Sequence, residues 1–409
     1  MIGFYCNAPD VNVGGVGHEQ EENAMRYETQ VDILQTLIAL HQQHRDQKML
    51  GEVVKVPVSH YTDSDILAQE MGTVFRRYPI VVGHVASVSR PGDYLLSDWD
   101  KFPYVVVRDQ TGELRAFLNT CRHRGARVVS GNEKCLKAFV CPFHGWVYDL
   151  DGSLKHVTKA YNFPELDFRQ YSLTELPVVE RGGLIWIHPT PGSTIDLDAY
   201  LGPIGDDLDH FGINELVRYR KTKVVKHANW KLLIMTYLEG YHVPYLHRNT
   251  LSQSFRKGVI AHYEYGPHIR LAAARTNFPD VLKTAIHNWS ILAFASVYYT
   301  LFPNTFFIMH PDYVSINTFY PEDTDRTIWT HEMLYRASEF QGEKGQEALA
   351  NRFSYTNDTV FDQEDFAVAE HVQSGLSCRA NDFHTLGLNE GLLAMFERSI
   401  DDVRSRVEE

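Results

Sequence analysis

The sequence predicts an α+β fold, in which a region of short antiparallel strands lies between a helical stretch and a mixed strand-and-helix region. Three observations carry this. Tyr104–Val107 and Arg115–Leu118 are strand-like runs flanking Gln110-Thr111-Gly112, a hairpin signal. Leu184-Ile185-Trp186-Ile187 reads as a buried strand, after which Pro189 and Pro191-Gly192 punctuate the chain. Before the strands, Val31, Leu34, Ile38 and His41 recur at helical spacing.

Taken in order, the first twenty residues lack a periodic apolar pattern and are expected to be an arm or disordered. A helix follows from about Glu28 to His44, and Thr62 with Asp65 resembles a capping box opening a second helix that runs to about Phe75. The strand texture runs from Ile80 to about Pro189. Beyond it come a short helix near Asp196 to His210, a strand at Arg218 to Val225, a helix from Trp230, further strands, and a C-terminal helical section. Ser290 to Met309 is twenty residues without a charge, long enough for a membrane span. Its β-branched and aromatic content and the break at Pro303-Asn304 fit two buried strands around a turn better.

Composition narrows the function. A chain of 409 residues with 44% hydrophobic and 12% aromatic residues supports two or three globular domains. A formal net charge of −13 argues against nucleic acid or an anionic membrane as the main partner. Five cysteines do not make a disulfide scaffold in a chain this long and suit a reduced, cytoplasmic protein. Asp10, Glu19, Glu21 and Glu22 stand where a secretory signal would need apolar residues.

The strongest motif is Cys121-Arg122-His123-Arg124-Gly125 followed by Cys141-Pro142-Phe143-His144-Gly145-Trp146. Two thiolates and two imidazoles on paired loops of a β domain match a [2Fe–2S] cluster of Rieske type, with Cys on one iron and His on the other. A structural Cys₂His₂ zinc site is the alternative. Zinc modules usually pair Cys with Cys and His with His along the chain, whereas each loop here offers one of each. Cys6, Cys135 and Cys378 have no partner at ligand spacing and read as ordinary thiols.

A second constellation follows Asn229-Trp230-Lys231. The run Leu232–Leu238 is apolar nearly all round, as in a buried helix, and helical spacing puts Glu239 and His242 on one face with Met235. Pro244 would end or kink that helix and let His247 swing back beside His242. Two imidazoles near an acid in a dry interior are costly unless they bind something, although satisfied core histidines are the plainer reading. A 2-His-1-carboxylate iron site needs one more acid. Phe361, Asp365, Val368 and Val372 fall at steps of four, three and four, which sets Asp365 inside an apolar stripe while Asp362 and Glu364 point elsewhere. A carboxylate in such a stripe is either paired or a ligand.

Together these motifs make the chain similar to the α-subunits of Rieske non-haem iron oxygenases, the aromatic-ring-hydroxylating dioxygenase family, from about Val56 to the C-terminus. The resemblance implies a Rieske [2Fe–2S] β domain followed by a helix-grip catalytic domain built on an antiparallel sheet. Expected boundaries are 1–50 for an arm and helix, 51–190 for the Rieske domain with its preceding helix, and 191–409 for the catalytic domain. The implied cluster ligands are Cys121, His123, Cys141 and His144. The implied ligands of a mononuclear Fe(II) are His242, His247 and Asp365, the last in Glu364-Asp365 followed by Glu370 and Gln373-Ser374-Gly375-Leu376, which also looks like the family. Glu239 is implied to bridge His242 to His144 of a neighbouring subunit, and a Glu at this place resembles the carnitine and choline branch.

The resemblance further implies O₂ and a small organic substrate, electrons from NAD(P)H through a separate reductase or ferredoxin, and a homotrimer. Ile234-Met235 departs from the acid-Asn pair frequent in the family. It reads either as a more apolar pocket wall or as plain core. Pocket walls are expected from Leu292 to Met309 and from Met235 and Tyr237, which favours an aromatic or largely apolar substrate; His310 and Asp312 would add polar contacts or form a surface turn. The expected reaction is mono- or dioxygenation. Oxidative N- or O-demethylation, an electron carrier without catalytic iron, and a zinc-stapled binding module are the alternatives.

Overall fold

The computed structural model describes residues 25–43, 50–131 and 135–406. The expected N-terminal arm, with Cys6, lies outside them. The first described helix, Tyr27–Gln43, buries Ile33, Leu34 and Leu37 together with Gln30, while Val31 and Ile38 are only half-buried. The face is therefore turned from the one the apolar spacing suggests, because Gln30 is drawn inward. Its side chain donates to the Met25 carbonyl at 2.9 Å, and its Oε1 accepts from the Ile291 N–H at 2.9 Å.

The second expected helix starts one residue later than Thr62. Thr62 ends a short helix, Ser59–Thr62, and its hydroxyl donates to the Val58 carbonyl. Asp63 supplies the cap instead, accepting from the Asp65 N–H at 2.8 Å, and the helix runs Ser64–Gly72 before a further turn at Val74–Arg77.

The hairpin forms as the sequence suggests, with Tyr104 opposite Leu118 and Arg108 opposite Leu114. It sits in a four-stranded antiparallel sheet. A three-stranded sheet of Phe139–Val140, Val147–Tyr148 and Leu154–His156 lies beyond it. Leu184–Ile187 is fully buried, between Val178–Arg181 and Ile80–His84.

The larger sheet has seven antiparallel strands: β1 (Val217–Lys226), β2 (Phe255–Tyr265), β3 (His268–Arg275), β4 (Ala295–Leu301), β5 (Thr305–Met309), β6 (Tyr313–Asp323) and β7 (Arg326–Tyr335). Their order is β1-β7-β6-β5-β4-β3-β2. The charge-free stretch 290–309 thus supplies β4 and β5, which pair Val297 with Met309 and Leu301 with Thr305. Among the described residues no helix is long and apolar enough to cross a membrane. Central β6 and β7 are buried almost end to end, as strands covered on both faces must be. Edge strand β1 carries cations instead, and Lys221 and Lys223 pair with Asp98 and Asp100 of the preceding strand region.

The expected helix near 196–210 is two, Leu197–Leu201 and Pro203–His210, because Gly202 has φ 52° and Pro203 restarts the turn. The helix from Trp230 lasts only to Met235. Glu239 and His242 are therefore not helical neighbours of Met235, contrary to the spacing argument. The C-terminal helical section runs Gly342–Phe353, then a π-helical Ser354–Phe366, then Ala367–Ser377. The i→i+5 turns shift the phase of the helix. Asp365 and Phe366 are buried with Ala369, Gln373 and Leu376, whereas Val368 and Val372 are 40% and 36% exposed. Asp365 is inside, but not on the stripe that α-helical counting drew.

Candidate metal centres

The two Cys–His loops are built alike. In each, the Gly N–H donates back to the Cys carbonyl (Gly125 to Cys121 at 2.9 Å, Gly145 to Cys141 at 3.0 Å). Each Cys N–H in turn reaches the carbonyl five residues on, Ala126 or Trp146. Closing such a loop needs positive φ, 78° at Gly125 and 67° at Gly145, which explains glycine at both. The loops bring Cys121 and Cys141 into the buried core and set the His123 and His144 rings 4.6 Å apart. Trp146 stacks on His123 at 4.9 Å and holds its plane.

The donor set fits an iron–sulfur cluster. Nδ1 of His123 and Nδ1 of His144 are both buried and have no hydrogen-bond partner, a costly state for two imidazoles that coordination would relieve. Burial, with the neighbouring His144 and Arg124, favours the neutral form of His123, which is the ligating form. Burial raises the Cys121 thiol, and Tyr148, whose OH lies 3.2 Å from Sγ and accepts from the Arg122 N–H, steadies it. Tyr148 carries no signal in the motif and was not legible from it. Cys135 and Cys378 are exposed and apart from this site.

The second site forms around one carboxylate. Asp365 Oδ1 lies 2.9 Å from His247 Nε2 and 3.6 Å from His242 Nε2. Among the described residues, His242, His247 and Asp365 form the one His/Cys/Asp/Glu group whose donor atoms all lie within 4.8 Å of one another. The four Cys and His donors of the first site do not gather in that way, although a single tetrahedral ion with bonds of roughly 2.0–2.3 Å would require it.

Each imidazole of this group is held from behind. Glu239 bonds His242 at Nδ1, and its other oxygen accepts from the backbone N–H groups of Tyr241 and His242, so it also fixes the loop that leads to His242. Pro244 lies in the first turn of that helix, Val243–Leu246, and starts it where the sequence suggested a break. Glu364 Oε2 lies 2.7 Å from His247 Nδ1 and accepts from the Thr250 hydroxyl at 2.8 Å. Glu364 thus faces the site, contrary to the helical count that pointed it away; Asp362 does face outward, paired with Lys226. Burial lowers the His247 imidazole, but Asp365 and Glu364 outweigh it and raise its pKa. Burial raises Asp365 despite the opposing pull of His247.

The two arms of the site are tied together at their bases. The Asn229 N–H donates to Gln373 Oε1 at 2.9 Å and the His227 N–H to Glu370 Oε1 at 2.7 Å. The triad opens on a cavity of about 610 Å³ lined by Tyr237, Tyr298, Ile308 and Phe361. Leu292, Ile234 and Met235 do not line it; Met235 packs against the Tyr61 hydroxyl, so the Ile-Met pair is core.

The model of the Rieske [2Fe–2S] domain matches residues 78–171, and that of the ring hydroxylating α-subunit catalytic domain matches 213–405. These are the two domains of the Rieske non-haem iron oxygenase α-subunits, a family whose cofactors are a [2Fe–2S] cluster and a mononuclear iron. It is 36% identical over 193 residues to the chlorobenzene dioxygenase subunit alpha of Cupriavidus sp. (strain PS12), a stretch covering 44% of this chain and 42% of that one. The match therefore spans less than half the length of that relative. Over 337 residues it is 26% identical to the carnitine monooxygenase oxygenase subunit of Escherichia coli (strain K12), covering 80% of this chain and 86% of the relative. The fold is also that of a quaternary ammonium Rieske monooxygenase solved with L-carnitine (TM-score 0.74, 23% identity, covering 86% of this chain and 95% of the other).

Proposed function

We propose that the protein is a terminal oxygenase that uses O₂ and reductase-supplied electrons to hydroxylate a small organic molecule in the 610 Å³ cavity. The observation that carries this is the triad His242, His247 and Asp365, converging within 4.8 Å beside that cavity in a chain that also carries the paired Cys–His loops. Cys121, His123, Cys141 and His144 would hold the cluster, and His242, His247 and Asp365 the iron. When bound, the cluster supplies stored electrons and the iron supplies O₂ activation.

The chain's own residues prepare both sites. Glu239 and Glu364 accept from Nδ1 of His242 and His247, which leaves both Nε2 atoms to face the position an iron would take beside Asp365. Tyr237 and Phe361 wall the site with aromatic surface and limit water there. No protein general base is required at the reacting carbon.

Electrons would arrive from a separate ferredoxin or reductase drawing on NAD(P)H. Glu239 would take them from His144 of a neighbouring copy in a homotrimer. Exposed aromatic residues at both ends support such contacts: Phe143 beside His144 is 53% exposed, and Tyr241 and Tyr245 beside Glu239 are 58% and 70% exposed. A cytoplasmic location suits two buried cysteine thiols poised for a cluster.

The reaction type is open to one measurement. The relative matched over most of its length is a monooxygenase component, while the more identical stretch belongs to a dioxygenase. Turnover under ¹⁸O₂ with a surrogate reductase counts the labelled atoms in the product. One or two atoms support the reading; substrate-dependent NADH oxidation with no label in any product, or no oxygen uptake at all, contradicts it.

A further inference from the structure

The floor of the cavity is polarised. Alternate residues of the sheet face it: Leu271, Ala273 and Arg275 of β3, Ile308 of β5 with His310 just past its end, and Arg256 of β2. The register fixes their order. Ala274 pairs with Ala295 and Val297 with Met309, so Arg275 and His310 stand at the same end of adjacent strand pairs. Leu271 and Ile308 lie further along. The floor therefore runs from an apolar stretch to a basic end.

The basic end is not neutralised. Among the described residues no side chain forms an ion pair or hydrogen bond with the Arg275 guanidinium, whereas Arg352 in the same wall is tied to Asp312. His310 Nε2 is buried without a partner. Its ring is fixed by stacking on Tyr313 at 4.1 Å. Burial, with Arg275 and His331 nearby, lowers its pKa to about 3, so it is a neutral polar group beside a cation. A half-buried guanidinium facing a largely apolar cavity is costly unless an anion meets it. In a chain of net charge −13 a surplus of cations does not explain it.

We propose that the substrate is a small carboxylic acid with an apolar or aromatic body, its carboxylate seated on Arg275 and hydrogen-bonded by His310. The planar guanidinium matches a carboxylate in two parallel hydrogen bonds. The body then lies over Leu271 and Ile308 and presents its far carbon to the triad side of the cavity. This rests on the oxygenase reading of the triad, and it converts an apolar pocket into one selecting for a single negative charge.

The test is titration calorimetry of the metal-loaded protein with benzoate, phenylacetate and 3-phenylpropanoate, each against its neutral amide. At least one acid is expected to bind about ten- to a hundredfold more tightly than its amide. R275Q should remove that preference, and R275K should restore part of it. The cluster spectrum of both variants reports that the fold is intact. Amides binding as well as acids, an unchanged preference in R275Q, or no acid binding at 10 mM (about the weak limit of a specific site) overturns the proposal. Iron and sulfide content is read on the same samples, so a failed substrate assignment is distinguishable from a failed oxygenase reading.

Discussion

Glu364 and Asp365, consecutive in the chain, grip opposite nitrogens of one imidazole: Glu364 Oε2 is 2.7 Å from His247 Nδ1 and Asp365 Oδ1 is 2.9 Å from His247 Nε2. Two neighbouring side chains reach the same ring because the helix is π-helical there. Glu364 is therefore a positioning residue. Glu364→Gln should weaken iron retention by about 10- to 100-fold, the usual effect of losing a carboxylate behind a ligating histidine. Iron per chain after dialysis against a graded chelator checks this; the cluster absorbance should not change.

Glu239 has a different part. It touches His242 but lies outside the triad, on a turn flanked by exposed tyrosines. Glu239→Gln should keep both metals and slow delivery of electrons. Rapid mixing of reduced protein with O₂ and substrate reads cluster reoxidation directly, and an unchanged rate would remove the bridging role.

What the sequence made legible follows physical range. Cys121, His123, Cys141 and His144 were readable because their loops are local, closed by hydrogen bonds within five residues. The hairpin at 104–118 and the strands within 290–309 were readable for the same reason. Asp365 was reached by a stripe that the π-helical turns then displaced, so the right residue came from a partly wrong face. Glu364 escaped because α-helical counting turned it away, although its adjacency to Asp365 was a usable signal. Arg275 and His310 carry no motif. Only the register of three strands brings them together.

Two buried histidines away from the metal sites and the cavity floor, His268 and His331, add to the acid sensitivity of the fold. Burial lowers the pKa of His268 to about 4, with the Tyr200 and Thr300 backbone opposing, and that of His331 to about 4, with Asn357 opposing. The unfolded chain protonates both near 6.5. Between pH 6.5 and 4 the unfolded state thus binds more protons, so their contribution is full above 6.5 and is lost as pH falls. The combined slope should approach about 2.7 kcal/mol per pH unit near pH 5. Denaturant titrations across that window measure it, and His268→Asn should remove about one proton's share.

Lys231 and Glu70 form a fully buried ion pair under the Trp230 helix, and Trp230 Nε1 donates to Glu70 at 2.9 Å. Lys231→Met leaves that carboxylate unpaired in the core and should cost about 3–5 kcal/mol. Adding Glu70→Leu should recover much of it. Urea melts of the single and double variants check the sign; equal losses in both would show that the pair contributes little beyond its volume.

The proposed enzyme depends on two kinds of iron in one chain. Iron and acid-labile sulfide, measured together on the reconstituted protein and on Asp365→Ala, test it most directly. About three irons and two sulfides per chain are expected, falling to about two and two in the variant with the cluster spectrum intact. Loss of sulfide along with iron in Asp365→Ala, or only two irons in the parent protein, would contradict it.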